Sequence, residues 1–132
     1  MTATILLIED NEKNRYLATF ILEKRGYRVV QAEDGHLGLE LARQINPDLI
    51  LLDIQLPGMD GYTVARHISG DPLLAHIPIV AVTSYAMPGD RESVLAAGCR
   101  GYIEKPINPA TFVGEVERHL PPHLRPEGAQ SP

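Results

Sequence analysis

A chain of 132 residues, 44% of them hydrophobic, can bury one sizeable core but not a core plus an independent effector. Its 12 Lys and Arg against 17 Asp and Glu leave a formal charge of -5, and the basic residues are scattered, so its field repels nucleic acid and anionic membranes and argues for partners of neither kind. No stretch approaches the roughly eighteen consecutive apolar residues of a membrane span, and Met1 to Ile5 runs into a strand pattern without a basic leader or cleavage site, so a cytoplasmic protein is expected.

Short apolar runs alternate with longer amphipathic segments. Thr4 to Ile8 reads as a first strand that delivers Glu9-Asp10 at its carboxyl end. A first helix follows from about Asn11 to Arg25, with Leu17, Phe20, Ile21 and Lys24 on one face and Gly26 as its stop. Tyr27 to Ala32 is a second strand. The second helix, about Gly35 to Gln44, turns Leu37, Gly38, Leu41, Ala42 and Ile45 inward and ends at Asn46-Pro47. The third strand, Leu49 to Asp53, ends in a carboxylate and enters the turn-rich Pro57-Gly58-Met59-Asp60-Gly61, before a third helix from about Tyr62 to Ser69 with its exit at Asp71-Pro72. Ile79 to Thr83 is the fourth strand. Pro88-Gly89-Asp90 starts a short helix to Ala97, closed by Gly98, and Gly101 to Lys105 is the fifth strand. The last helix begins near Asn108-Pro109, an asparagine cap with proline at the first helical position, and carries Phe112, Val113, Val116 and Leu120. Five strands alternating with helices predict an α/β domain with a parallel sheet wound by right-handed crossovers. Residues 121–132 contain four prolines and little to bury, so the expected boundaries are a domain over 1–120 and a flexible tail over 121–132.

Several reactive side chains have ordinary readings. Cys99, the single cysteine, lies in Ala96-Ala97-Gly98-Cys99 and reads as a small buried residue rather than a nucleophile. His119 and His123 have metal-pair spacing, but Pro121-Pro122 between them prevents a shared helical face. His36, His67 and His76 are isolated and read as surface residues.

The strand ends carry the chemistry. An apolar run that closes on one polar group is the pattern of a buried parallel strand, and ligands of open α/β sheets bind at the carboxyl edge where such groups converge. Two acids at Glu9-Asp10 are weak evidence alone, since Asp10-Asn11 could simply cap a helix. Asp53 adds a third carboxylate. A cluster of acids with no Cys or His nearby needs a cation, and oxygen-only donors suit Mg²⁺ better than zinc. A carboxylate beside such a cation can act as a nucleophile toward a phosphoryl group, with the Thr83 hydroxyl and the Lys105 ammonium at neighbouring strand ends as donors. Thr83 singly is an ordinary strand residue and Lys105 an ordinary surface lysine; the combination is what singles them out.

With Glu9-Asp10, Asp53-Ile54-Gln55-Leu56-Pro57-Gly58-Met59-Asp60-Gly61, Thr83 and Lys105-Pro106 in place, the chain resembles the receiver domain of two-component response regulators over residues 4 to about 120. The resemblance implies a flavodoxin-like (βα)5 doubly wound sheet of order 2-1-3-4-5. It implies that Asp53 takes a phosphoryl group from a histidine kinase or phosphotransfer protein in a phosphorelay. It implies further that Asp10, Asp53 and the backbone carbonyl of Gln55 bind Mg²⁺, with Glu9 reaching it through water. Lys105 would pair with the phosphoryl group, and the Lys105-Pro106 bond would be cis. Thr83, with Ser84 beside it, and Tyr102 fall at the switch positions, Tyr102 turning inward as Thr83 moves; an aromatic in an edge strand is also explained by packing alone. The segment from His76 to Asp90 is similar both to DivK-type single-domain regulators and to receivers appended to hybrid kinases, and does not separate them.

The expected protein is a stand-alone switch, a monomer or weak dimer, whose output is a downstream protein bound through the fourth helix, fifth strand and fifth helix. It would not be an enzyme beyond its own phosphorylation and dephosphorylation. Two rivals stand beside it. A Mg²⁺-dependent aspartyl phosphohydrolase needs a second acid two residues after the first, where this chain has Gln55. A receiver-like scaffold that works without phosphorylation has the intact constellation against it.

Overall fold

The structure, a computed structural model, describes residues 2–84 and 89–126. All five apolar runs form strands: β1 (Thr4–Ile8), β2 (Arg28–Ala32), β3 (Leu49–Asp53), β4 (Ile79–Thr83) and β5 (Gly101–Glu104). They pair in parallel in the order β2-β1-β3-β4-β5, as expected. Five helices connect and flank them: α1 (Glu12–Arg25), α2 (Gly35–Ile45), α3 (Gly61–Ser69), α4 (Asp90–Ala96) and α5 (Phe112–Glu117). Every residue of β3 and β4 is buried, because helices cover both faces of the sheet at its centre.

Alternation along the strands divides the core in two. Leu6, Ile8, Ile50, Leu52, Ile79 and Ala81 pack with Leu39, Val64, Ile68 and Val94 of α2, α3 and α4. Ile5, Leu7, Leu49, Leu51, Val80 and Val82 pack with Ala18 and Leu22 of α1 and Phe112 and Val116 of α5.

Helix starts follow local chemistry. Asn11, Asp34 and Asp60 cap α1, α2 and α3 by accepting from the backbone N–H of Asn14, Leu37 and Thr63. Gly26, at φ 115°, ends α1 in the left-handed conformation, with its N–H bonded to the Glu23 and Leu22 carbonyls.

Three expectations need correction. The inward face of α1 is centred on Ala18 and Leu22, with Ile21 of the expected stripe packed beside them, and not on Phe20 and Lys24: Phe20 is 53% exposed and stacks on Tyr16 at 6.3 Å between ring centroids, with the Lys24 ammonium over its ring. Small Ala18 lets the helix approach the sheet, and the larger rings pair on the outside. The helix expected from Asn108-Pro109 to Leu120 is shorter, Phe112–Glu117: Asn108 accepts from the Ala110 N–H with its side chain and from the Thr111 and Phe112 N–H groups with its carbonyl, but the turn this makes stands before the regular helix.

The third concerns the segment after Leu120. Pro122–Leu124 forms a turn of 3-10 helix, Leu124 packs against the core under α1 and α5, and Arg125 donates to the carbonyls of Glu117 and Leu120. The folded unit therefore reaches Pro126, whose ring lies over Gly26. Residues 127–132 of the expected tail, and 85–88 in the segment from His76 to Asp90, lie outside the described residues.

Candidate functional site

Strand register assembles the site. Ile8 pairs with Leu52, so Glu9 leaves β1 beside Asp53; Asp53 pairs with Val82, which sets Thr83 next to it; and Thr83 pairs with Glu104, which sets Lys105 one residue further on. The Lys105 N–H continues this ladder by donating to the Thr83 carbonyl at 2.8 Å. The Lys105–Pro106 peptide bond is cis, as the resemblance implied.

Glu9, Asp53 and Thr83 are the buried polar residues among the described ones, at 4%, 2% and 4% exposure. Lys105 lies between the two acids, its Nζ 2.9 Å from Glu9 Oε1 and 3.2 Å from Asp53 Oδ2. Asp53 Oδ1 accepts from the Gln55 N–H at 2.9 Å, which fixes the carboxylate across the start of the following loop. Gly61 closes that loop onto the strand end: a Cβ there would fall 2.5 Å from Ile54 Cα and 2.6 Å from the Asp53 carbonyl oxygen. Asp10 is exposed, and because Asn11 caps α1, the Asp10 carboxylate is left to the cluster.

Burial, then a hydrogen bond with Asp53, pushes the Glu9 carboxyl up to about 7. Burial would raise Asp53 too, but bonds from Glu9, the Gln55 N–H and Lys105 outweigh it and hold Asp53 below the usual carboxylate range. Burial works against the Lys105 charge, yet Glu9 and Asp53 together keep its ammonium above the ordinary value. The edge thus carries an ionised Asp53, an ionised Lys105 and a Glu9 poised to hold or lose a proton near neutrality.

Glu9, Asp10 and Asp53 each place a carboxylate oxygen within 4.8 Å of the others. Three hard oxygen donors with no thiolate or imidazole fit Mg²⁺, so the donor chemistry here matches the cation expected from the sequence. His119 and His123 join no such group among the described residues. His36, His67 and His76 are exposed, and burial raises the Cys99 thiol to about 11, which keeps it inert.

Ser84 is exposed beside the site, its N–H 3.4 Å from Gln55 Oε1. Tyr102 points outward from β5 at 38% exposure. Two contacts were not anticipated. Arg15 donates to the carbonyls of Glu9 at 2.9 Å and Asp10 at 3.4 Å, clamping the strand end against α1. The signal was available: Arg15 stands four residues after the cap Asn11, and helical side chains lean toward the amino end. The Gln55 side chain also reaches back to the site, which its position in a loop did not disclose.

A doubly wound parallel sheet whose carboxyl edge gathers three acids around a lysine defines an α/β protein with a cation-competent edge site. This chain belongs to the response regulator receiver domain family, whose sequence profile matches residues 5–117, and is thus a receiver domain of two-component signalling. It is 42% identical over 120 residues to the polar-differentiation response regulator DivK of Brucella ovis, a match spanning 91% of this chain and 98% of that protein, and 41% identical over 120 residues to the DivK of Brucella anthropi, with the same coverage. Among solved structures it resembles the chemotaxis protein CheY4 of Vibrio cholerae, with a TM-score of 0.87 at 28% identity over 91% of this chain and 100% of that one. It also resembles the receiver domain of the sensor histidine kinase PA1611 of Pseudomonas aeruginosa, which holds a magnesium ion in its active-site cleft, with a TM-score of 0.82 at 36% identity over 89% and 97% of the two chains. No helix among the described residues is long and apolar enough to cross a membrane.

Proposed function

We propose that this receiver is a phospho-acceptor switch in which Asp53 takes a phosphoryl group from a phosphohistidine of a histidine kinase or phosphotransfer protein. The observation that carries the reading is the Asp53 carboxylate, 2% exposed, ionised and 3.2 Å from the Lys105 ammonium at the sheet edge. An Asp53 oxygen attacks phosphorus, an O–P bond forms, and the N–P bond breaks with its electron pair returning to the imidazole nitrogen. Lys105 offsets the charge that collects on the phosphoryl oxygens. Glu9, Asp10, Asp53 and the backbone carbonyl of Gln55 would hold Mg²⁺, which supplies further neutralisation of those oxygens when bound.

Thr83 donates its hydroxyl to a phosphoryl oxygen with Ser84 beside it, and Tyr102 turns inward as Thr83 moves. The switch then changes what α4, β5 and α5 present to a downstream protein in the cytoplasm, the domain acting as a monomer or weak dimer. Gln55 offers no acid two residues after Asp53, so the domain does not turn over external phosphate esters; its only reactions are its own phosphorylation and dephosphorylation.

Intact-mass analysis after incubation with Mg²⁺ and acetyl phosphate tests the assignment. One phosphoryl adduct is expected on the native chain, none on Asp53→Asn, and an adduct with reduced partner binding on Thr83→Ala. The same adduct on Asp53→Asn would overturn it.

A further inference from the structure

At the amino end of the sheet, a five-residue strand or roughly 16 Å away from the acidic edge, lies a second concavity. A cavity of ≈ 530 Å³ opens between the loops that enter β3, β4 and β5 and the end of α5. Its size falls within the range of small-molecule pockets and exceeds what one inorganic anion fills. Pro78, Leu120 and Leu124 supply apolar wall, and Arg100, Arg118, His76 and His119 bring cationic and aromatic groups to the same space.

The two arginines are not committed to acids. Arg25 and Arg43 pair with Glu117 and Asp71, whereas neither Arg100 nor Arg118 has a carboxylate within ion-pair distance among the described residues. Arg100 makes only a long contact of 3.4 Å with the His76 carbonyl. The acid in the lining, Asp48, is occupied: its Oδ2 accepts from the Thr4 N–H at 2.8 Å. His119 is seated against Gly101, where a Cβ would fall 2.8 Å from the imidazole Cε1, so the absence of a side chain there makes room for the ring. Its basicity is lowered first by burial and then by Arg118 and Arg100, a consequence of the positive field they create in that wall. In a chain of net charge -5, two exposed guanidinium groups without a carboxylate partner among the described residues line one partly apolar cavity and give it a positive rim.

We propose that this cavity binds a small organic anion, a phosphate or carboxylate head on a ring-bearing body of mononucleotide size. Arg100 and Arg118 take the head in the planar, multi-donor manner of guanidinium groups, and Pro78, Leu120 and the His119 ring take the body. None of these residues takes part in the phosphoryl switch, so the site stands or falls independently of it.

Amide chemical shifts of the full chain, titrated separately with adenosine monophosphate, nicotinate, adenosine and inorganic phosphate, test this. Adenosine monophosphate, nicotinate or both should saturate at millimolar concentration or below and move amides of residues 46–48, 76–79, 100–101 and 118–121; which of the two binds more tightly identifies the head. Adenosine and phosphate alone should each bind at least about tenfold more weakly, since each loses half the contacts. Arg100→Ala/Arg118→Ala should weaken the better probe by about tenfold or more, with thermal melting confirming that the variant is folded. If that pair does not fold, Arg118→Gln is read in its place. The proposal is overturned if neither anion gives saturable shifts there, if adenosine binds as well as its monophosphate with nicotinate inert, if the folded variant binds unchanged, or if the shifts gather around residues 9–10, 53–55 and 83–84.

Discussion

Glu9 is an ordinary strand-end acid in the sequence, yet its behaviour is set by two neighbours that come from the third and fifth strands. Lys105 donates to it while Asp53, fixed by the Gln55 N–H, competes for the same ammonium, and burial of all three makes the proton the cheapest charge to adjust. A carboxyl raised from its ordinary 4.5 to about 7 binds more protons in the folded than in the unfolded chain across that window. Its contribution to stability is therefore complete below about 4.5 and is lost as pH rises through 7. Asp53, held below its ordinary 3.8, contributes the other way, above that value, and does not titrate in the same window. In chelator, unfolding by urea should show the native chain losing stability relative to Glu9→Gln as pH rises from about 4.5 to about 7. Because a cation binds the ionised carboxylates, adding Mg²⁺ near neutrality should release protons and reduce that difference. A gap between the two proteins that stays constant with pH would show that Glu9 keeps its charge throughout.

Elements with one dominant physical cause were legible in the sequence, and those set by competition were not. β1, β3 and β4 are apolar runs buried on both faces, and their ends fall where the polar groups Glu9, Asp53 and Thr83 begin, so the sheet and most of its site could be read directly. The face of α1 was misread because Ala18 and Phe20 offer rival stripes, and only docking against Leu7 and Phe112 favours the smaller residue. The start of α5 was placed too early because Asn108 does accept from the Ala110 and Phe112 N–H groups as a cap would, while the regular helix begins only at Phe112, a delay with no local sequence signal. Gly61 lies between these cases: the turn-rich loop was visible, but not that α3 begins in contact with the backbone of Asp53 and Ile54. Those atoms cannot yield to a methyl group without displacing Asp53 from Lys105. Gly61→Ala should cost about 1–3 kcal/mol in chemical denaturation and slow phosphorylation by acetyl phosphate. Gly114→Ala, in an exposed turn of α5 with nothing within 4 Å of the new Cβ, should instead stabilise by about 0.5–1 kcal/mol through helix propensity and leave that rate alone.

The carboxyl edge of the sheet holds charges that must respond to a ligand, whereas at the opposite end the finish of α5 is tied to the finish of α1 by fixed polar contacts. Glu117 accepts from Tyr27 Oη at 2.7 Å and Arg25 Nε at 2.9 Å, joining the end of α5 to the end of α1 and the entry to β2. Burial and the Glu117 carboxylate push the Tyr27 hydroxyl well above its ordinary range, so this bond persists across physiological pH. Arg125 completes the arrangement by donating to the Glu117 carbonyl at 2.7 Å, which also accepts from the Leu120 N–H at 3.1 Å, and to the Leu120 carbonyl at 3.2 Å past the end of the last helix. Leu124 and Pro126 cover the core edge and Gly26 beneath it. Ending the chain at Leu120 removes the contacts of Leu124, Arg125 and Pro126 and leaves those of Glu117 with Tyr27 and Arg25, whereas ending it at Pro126 keeps them all. A chain of residues 1–120 should therefore be less stable than one of residues 1–126 by about 2–4 kcal/mol, the sum expected for a charged hydrogen bond pair and one partly buried leucine. Arg125→Ala in the longer chain should by itself reproduce roughly half of that loss, about 1–2 kcal/mol. Phosphorylation by acetyl phosphate, measured well below the melting temperature, should proceed at the same rate in both chains, because the acidic edge lies a full strand away. Equal urea midpoints for the two chains would mean that these contacts contribute nothing to folding and would restore a domain boundary at Leu120.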